Sequence, residues 1–221
     1  MGGEVTAESG RWISGAASLG VGLLLLSLAS PVYAGGPRRG LAVFGALGFN
    51  GNADWDEKVF RGQTSVEPVD DVEDILGFGA VYEVNPGVRN VAAGGRFFLS
   101  TGKLEDSDDE LLSVDGGVWG RYYQPVGENL LAFGAGAAGL TYGQLTVDDD
   151  SDNQVSGIGY HIVLGGGLTY GLSNNLGFFG GLFYEYQGFP SLSGEYAGAD
   201  LEFKDSEISF FLLTAGVLLD I

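Results

Sequence analysis

The chain has 221 residues, enough for one domain with or without a short leader. It carries 10 Lys and Arg against 29 Asp and Glu, a net charge of -19, which excludes gripping a nucleic-acid backbone by charge. It has no Cys and one His, which excludes disulfides, thiolate metal sites, a cysteine nucleophile and multi-histidine centres. Hydrophobic residues still make up 45% of the chain, so this is no disordered acidic tail. With 40 Gly, 14 Phe, 10 Tyr and only 6 Pro, and with apolar residues in alternation, the chain reads as all-β.

Residues 12–37 carry no charge, and Ala16 to Ala29 is the most apolar part. That run is diluted by Ser and Gly and falls short of the ~20 apolar residues a helical span needs. Val32 and Ala34 then place small residues before Gly35, which predicts a secretory signal at 1–34 and a mature domain at 35–221. Glu4 and Glu8 before the apolar run depart from the basic start that such signals have.

Eight alternating segments follow. Leu41 to Asn50 sets Leu41, Val43, Leu47 and Phe49 against Ala42, Phe44, Ala46 and Gly48. Asp74 to Val84 sets Leu76, Phe78, Ala80 and Tyr82 against Gly77, Gly79, Val81 and Glu83. Val91 to Thr101 sets Phe97 and Leu99 against Gly94, Arg96, Phe98 and Ser100. Leu112 to Tyr123 sets Leu112, Val114, Val118 and Tyr122 against Ser113, Asp115, Trp119 and Arg121. Leu130 to Thr146 is rich in Ala and Gly, and its facing is ambiguous. Val155 to Tyr170 sets Ile158, Tyr160, Ile162, Leu164 and Leu168 against Gly157, Gly159, His161, Val163 and Gly165. Asn175 to Gln187 sets Phe178, Leu182, Tyr184 and Tyr186 against Phe179, Phe183, Glu185 and Gln187. Ser206 to Ile221 is apolar on both faces.

Segments of this length suit a bilayer, which a tilted strand crosses in ~9 to 11 residues. The connections alternate too. Those at 85–90, 124–129 and 171–174 are short turns. Those at 51–73, 102–111, 147–154 and 188–205 are longer and hold most of the acids, which predicts acidic loops at one end. Glu83, Arg96, Asp115, Arg121 and Glu185 all fall on the less apolar face, the predicted inside. A charge on the lipid face near midplane would cost ~2–4 kcal/mol. The expectation is an interior ion-pair network in which Arg96 contacts a carboxylate.

With these features the chain resembles the small eight-stranded outer-membrane barrels of the OmpA transmembrane-domain and OmpX type, over residues 40–221. The resemblance implies an eight-stranded antiparallel up-and-down transmembrane β-barrel in the outer membrane of a Gram-negative bacterium. It implies a monomer that contacts lipid, lipopolysaccharide and the assembly machinery, with no nucleic-acid partner, cofactor or metal. Members commonly end on an aromatic residue, whereas here the alternation Phe211, Leu213, Ala215, Val217, Leu219 closes on Ile221.

The implied role is non-enzymatic, structural or at the cell surface. The alternatives are a narrow channel of the same fold and a soluble lipocalin-like ligand-binding barrel. Membrane-barrel lipid deacylases carry a serine two residues after their histidine. His161 is followed by Ile162 and Val163, so it reads as a polar group of the barrel core. Asp148, Asp150 and Asp152 place acids at alternate positions, as a calcium loop does. Asn153 stands where that loop needs Gly and Gly159 where it needs Glu, so weak cation binding is the most they suggest.

Overall fold

The computed structural model describes residues 39–65, 70–105, 109–147, 153–173 and 175–220. The leader expected at 1–34 and the acidic run Asp148, Asp150 and Asp152 lie outside the described residues. Among the described residues nine strands follow one another: β1 (Arg39–Phe60), β2 (Gln63–Ser65), β3 (Asp70–Val84), β4 (Val91–Leu104), β5 (Glu110–Pro125), β6 (Leu130–Thr146), β7 (Gln154–Ser173), β8 (Leu176–Tyr196) and β9 (Ala199–Asp220).

Each strand pairs antiparallel with the next, except that β3 skips β2 and pairs with β1. β9 returns to β1, from Gly40↔Asp220 to Phe60↔Leu201, and closes the ring. Eight strands therefore form an up-and-down barrel, and the three-residue β2 is a tab hydrogen-bonded to the end of β1. Closure pairs the backbone groups that an open sheet would leave at its two edges.

Alternation sorts the side chains. Ala42, Phe44, Val81, Phe98, Trp119, Phe133, Phe179, Phe183 and Leu212 are buried inside the ring. Val43, Leu47, Phe78, Phe97, Val118, Ile162, Leu182 and Leu213 project outward and are exposed. The facing of β6, ambiguous by composition, is settled by its large residues: Phe133, Thr141 and Leu145 point in, while Leu140 and Tyr142 point out.

The strands are longer than the alternation alone suggests. β1 runs to Phe60, β8 reaches Tyr196 and β9 starts at Ala199. The segments expected as acidic loops at 51–73 and 188–205 are thus largely strand, and the acids ride on it. The reason is visible on the other face: Ala53, Trp55, Phe189, Leu192, Leu201 and Phe203 alternate inward and are buried. Val72, Leu104, Leu111, Leu145 and Val155 complete an apolar plug to which every wall strand contributes. Trp55 and Phe203 pack with ring centroids 5.1 Å apart.

Two tight hairpins cap this extension. Arg61-Gly62 joins β1 to β2 and Ala197-Gly198 joins β8 to β9, with φ of 51° and 74°, and 50° and 71°. Positive φ at both central residues marks the turn whose twist matches that of a hairpin. Register shifts between Phe49 and Asn52 on β1 and between Glu73 and Leu76 on β3 add an irregular residue on each strand where the extension begins. Asn50 and Asp74, both at φ 49°, sit in them.

The ring is narrow, and close strand approach requires glycine at particular points. A Cβ on Gly94 would run into the Tyr82 carbonyl oxygen and come within 2.8 Å of the Glu83 Cα. A Cβ on Gly116 meets nothing within 4 Å. Gly94→Ala is therefore expected to lower the unfolding free energy in detergent by about 1–3 kcal/mol. Gly116→Ala is expected to change it by less than about 0.5 kcal/mol. Urea titration of the two variants side by side checks the contrast.

Candidate functional site: polar layers in the barrel interior

The five charged residues assigned to the inside by alternation all point into the barrel and are buried. The structure sorts them into two groups. Arg96 on β4 pairs with Glu185 on β8, Nη2 to Oε2 at 2.7 Å. Arg121 on β5 lies 3.5 Å from Glu83 on β3, Nη1 to Oε1. Asp115 on β5 joins the first group through His161 on β7, whose Nδ1 is 3.7 Å from Asp115 Oδ1 and 3.8 Å from Glu185 Oε1.

The first group forms a polar layer. Arg96 Nη1 approaches His161 Nδ1 at 3.4 Å, and because a guanidinium only donates, the imidazole nitrogen accepts in that contact. Gln187 Nε2 donates toward Ser113 Oγ at 3.1 Å, Glu185 Oε1 at 3.2 Å and both Asp115 oxygens at 3.4 Å. Ser113 and Ser100 share a hydrogen bond of 2.8 Å. Arg96 also lies over the Phe98 ring, 4.6 Å from its centroid.

The second group is an arginine in an aromatic cage. The Arg121 guanidinium carbon sits 4.6 to 5.5 Å from the ring centroids of Phe133, Trp119, Phe179 and Tyr123. Arg121 Nη1 donates to the Tyr123 hydroxyl at 2.8 Å, and that hydroxyl in turn donates to Glu83. Trp119 Nε1 donates to the other Glu83 oxygen at 3.2 Å. Such rings stabilise a desolvated cation by about 2 kcal/mol. They stand in for part of the hydration that Arg121 gives up.

Between the groups lies a cavity of ≈ 10 Å³ lined by Phe44, Arg96, Trp119, Arg121, Phe179 and Thr214, among others. A space of this size is at the lower limit for one water molecule.

Gln187, Ser113, Ser100 and Tyr123 belong to these layers but were not among the residues singled out by charge. Their signal is parity: Gln187 follows Glu185 by two, Ser113 precedes Asp115 by two, and Tyr123 follows Arg121 by two, so each shares its neighbour's inward face. His161, read as a polar core group, sits at the centre of the first layer. Partner choice could not be read that way. Arg96 and Glu185 are 89 residues apart, and only ring closure brings β4 and β8 face to face.

Removing one member of the Arg96–Glu185 pair leaves the other charge buried without its 2.7 Å counter-ion. Glu185→Ala is expected to cost about 3–5 kcal/mol in urea unfolding, and replacing both, Arg96→Met with Glu185→Leu, to recover most of that loss.

No protein-family model matches the chain, and no curated protein sequence matches it. Solved structures similar to it include the following three. Neisserial surface protein A is 14% identical, with 83% of this chain and 97% of that one covered at a TM-score of 0.47. Outer membrane protein OprG from Pseudomonas aeruginosa is 12% identical, with 86% and 100% covered at 0.48. Ail, the attachment invasion locus protein of Yersinia pestis, is 15% identical, with 83% and 100% covered at 0.41.

Proposed function

We propose that this chain is an integral outer-membrane barrel of a Gram-negative bacterium, non-enzymatic and sealed. Its work is structural or at the cell surface, through an acidic rim in contact with lipopolysaccharide and other surface partners. The observation that carries the membrane reading is the outer face of the ring. Val118, Ile158, Leu140 and Leu164 are 70%, 68%, 66% and 62% exposed, and they belong to a belt that includes Leu47, Leu76, Phe78 and Leu213. Full burial of such a side chain is worth about 1.5–3 kcal/mol, and inside the ring the space is already taken. Lipid removes this belt from water without any change of fold.

Aromatic residues support the same reading. Tyr82 and Tyr170 are exposed toward the short-turn end, and Tyr142 and Tyr160 toward the other. Tyr at both ends of an apolar band matches the girdles of membrane barrels. Above the belt the outer face changes character: Asp54, Asp56, Asp200 and Glu207 project where Leu and Phe project lower down.

The filled interior supports a sealed barrel over a channel. Eight strands enclose a space just wide enough for side chains. Here Trp55, Phe189, Leu192 and Leu201 fill the upper part, and Phe98, Phe210 and Leu212 lie below, all buried. A soluble ligand-binding barrel would need an open apolar cavity and a polar exterior, and the side chains are arranged the other way round.

Leu164→Arg is expected to cost about 2–4 kcal/mol in lipid vesicles, because it sets a charge in the apolar belt. The full chain should fractionate with membranes, be released only by detergent and migrate differently when boiled. Reconstituted in a planar bilayer it should show no steady conductance. Recovery in plain buffer as a monodisperse species would overturn the membrane reading, and a reproducible single-channel step would overturn the sealed one.

A further inference from the structure

The polar layer gathers three side chains of metal-ligating type. Asp115, His161 and Glu185 each offer one ligand atom, and these atoms all lie within 4.8 Å of one another. They come from β5, β7 and β8, so the closed ring and not a flexible loop sets their spacing. All three are buried.

The separations from His161 Nδ1, 3.7 and 3.8 Å, are too long for hydrogen bonds. They are close to what one ion imposes. Metal–ligand bonds of ~2.0–2.2 Å hold neighbouring ligand atoms roughly 3–3.6 Å apart, so each carboxylate oxygen need move only slightly toward His161 Nδ1.

Gln187 supplies an independent observation. It is buried, its Oε1 has no partner, and its Nε2 faces four acceptor atoms with two hydrogens. Turned by half a revolution, the amide would place Oε1 among the carboxylate oxygens. Only a cation between them makes that arrangement favourable.

We propose that Asp115, His161 and Glu185 form a binding site for a divalent first-row transition metal inside the barrel, with Gln187 Oε1 as a fourth donor. One imidazole nitrogen with carboxylate and amide oxygens, and no sulfur, suits zinc or manganese. Arg96 fits as the outer support. It holds Glu185 by Oε2 at 2.7 Å and leaves Oε1, the oxygen nearer His161, turned to the ion. Its own approach to His161 Nδ1 is long, at 3.4 Å, and gives up little when an ion takes that lone pair. The apolar plug above and the aromatic cage below shield the site, so the ion enters while the barrel forms.

The site does not depend on where the barrel resides, so it is tested on the folded chain in detergent. The full chain is unfolded and refolded into detergent with Zn²⁺, with Mn²⁺ or with EDTA. Folding is scored by heat-modifiable migration, and excess ion is removed before elemental analysis. The expected result is near-stoichiometric ion in the folded wild type and a higher melting temperature than after refolding in EDTA. Asp115→Asn and His161→Asn should each weaken retention by at least the ~10–100-fold typical of lost supporting contacts. Should either variant fail to fold, Co²⁺ refolded into the wild type keeps the question open to measurement: visible ligand-field bands distinct from those of aqueous Co²⁺ support the site. Folded wild type carrying only trace ion, with the same melting temperature in Zn²⁺, Mn²⁺ and EDTA, overturns it. Ion retained equally by folded His161→Asn overturns it as well.

Discussion

The pairing of β1 with β9 is the contact on which everything else depends. It runs the length of both strands, and it turns a sheet with two open edges into a ring. Once the ring is shut, inside and outside are different places for every residue, and alternation along a strand becomes a choice between two environments. The exposed leucines are tolerable, and the buried charges are held in register, because this seam is made. A chain that failed to make it would present unpaired backbone along two strands and an apolar face on each side.

Closure with eight strands also dictates what the interior may contain. Large residues on one strand need small ones opposite. Phe183 packs where Gly165 leaves room, and Phe98 fills the space beside Gly77. Phe44, Phe133, Phe179, Phe183 and Trp119 then interlock ring against ring. Polar groups occur in layers between apolar ones because a lone buried charge is costly and a satisfied cluster is not. The Arg121 group solves this with rings and one carboxylate, the Arg96 group with two carboxylates, an imidazole and an amide.

Much of this was written in the alternation. The inward facing of Arg96, Phe98 and Ser100, or of Phe179, Phe183, Glu185 and Gln187, needs only a period of two. The extent of the strands was harder to see. From 51 to 60 the outward positions are Asn52, Asp54 and Asp56, and their polarity makes the segment look like loop. The inward positions Ala53 and Trp55 carry the strand signal, but they are few and are interrupted by the bulge at Asn50. The Ala197-Gly198 turn was likewise hidden in the stretch 188–205, whose scattered acids make it look like loop. The facing of β6 was illegible for the opposite reason: Ala and Gly on both faces offer no contrast, and its neighbours decide it. Which charge meets which follows from the diameter and shear of the ring, and no local pattern holds that information.

The two-residue turns at Arg61-Gly62 and Ala197-Gly198 have a bearing on recognition. They end ribbons that stay hydrogen-bonded to their tips, with Phe60 and Tyr196 packed against each other at 5.6 Å beneath them. A molecule that docks on this crown meets a shape organised in advance. Little rotational freedom of the backbone is then frozen on contact, so even a small footprint can hold a partner that a slack loop of the same composition would release.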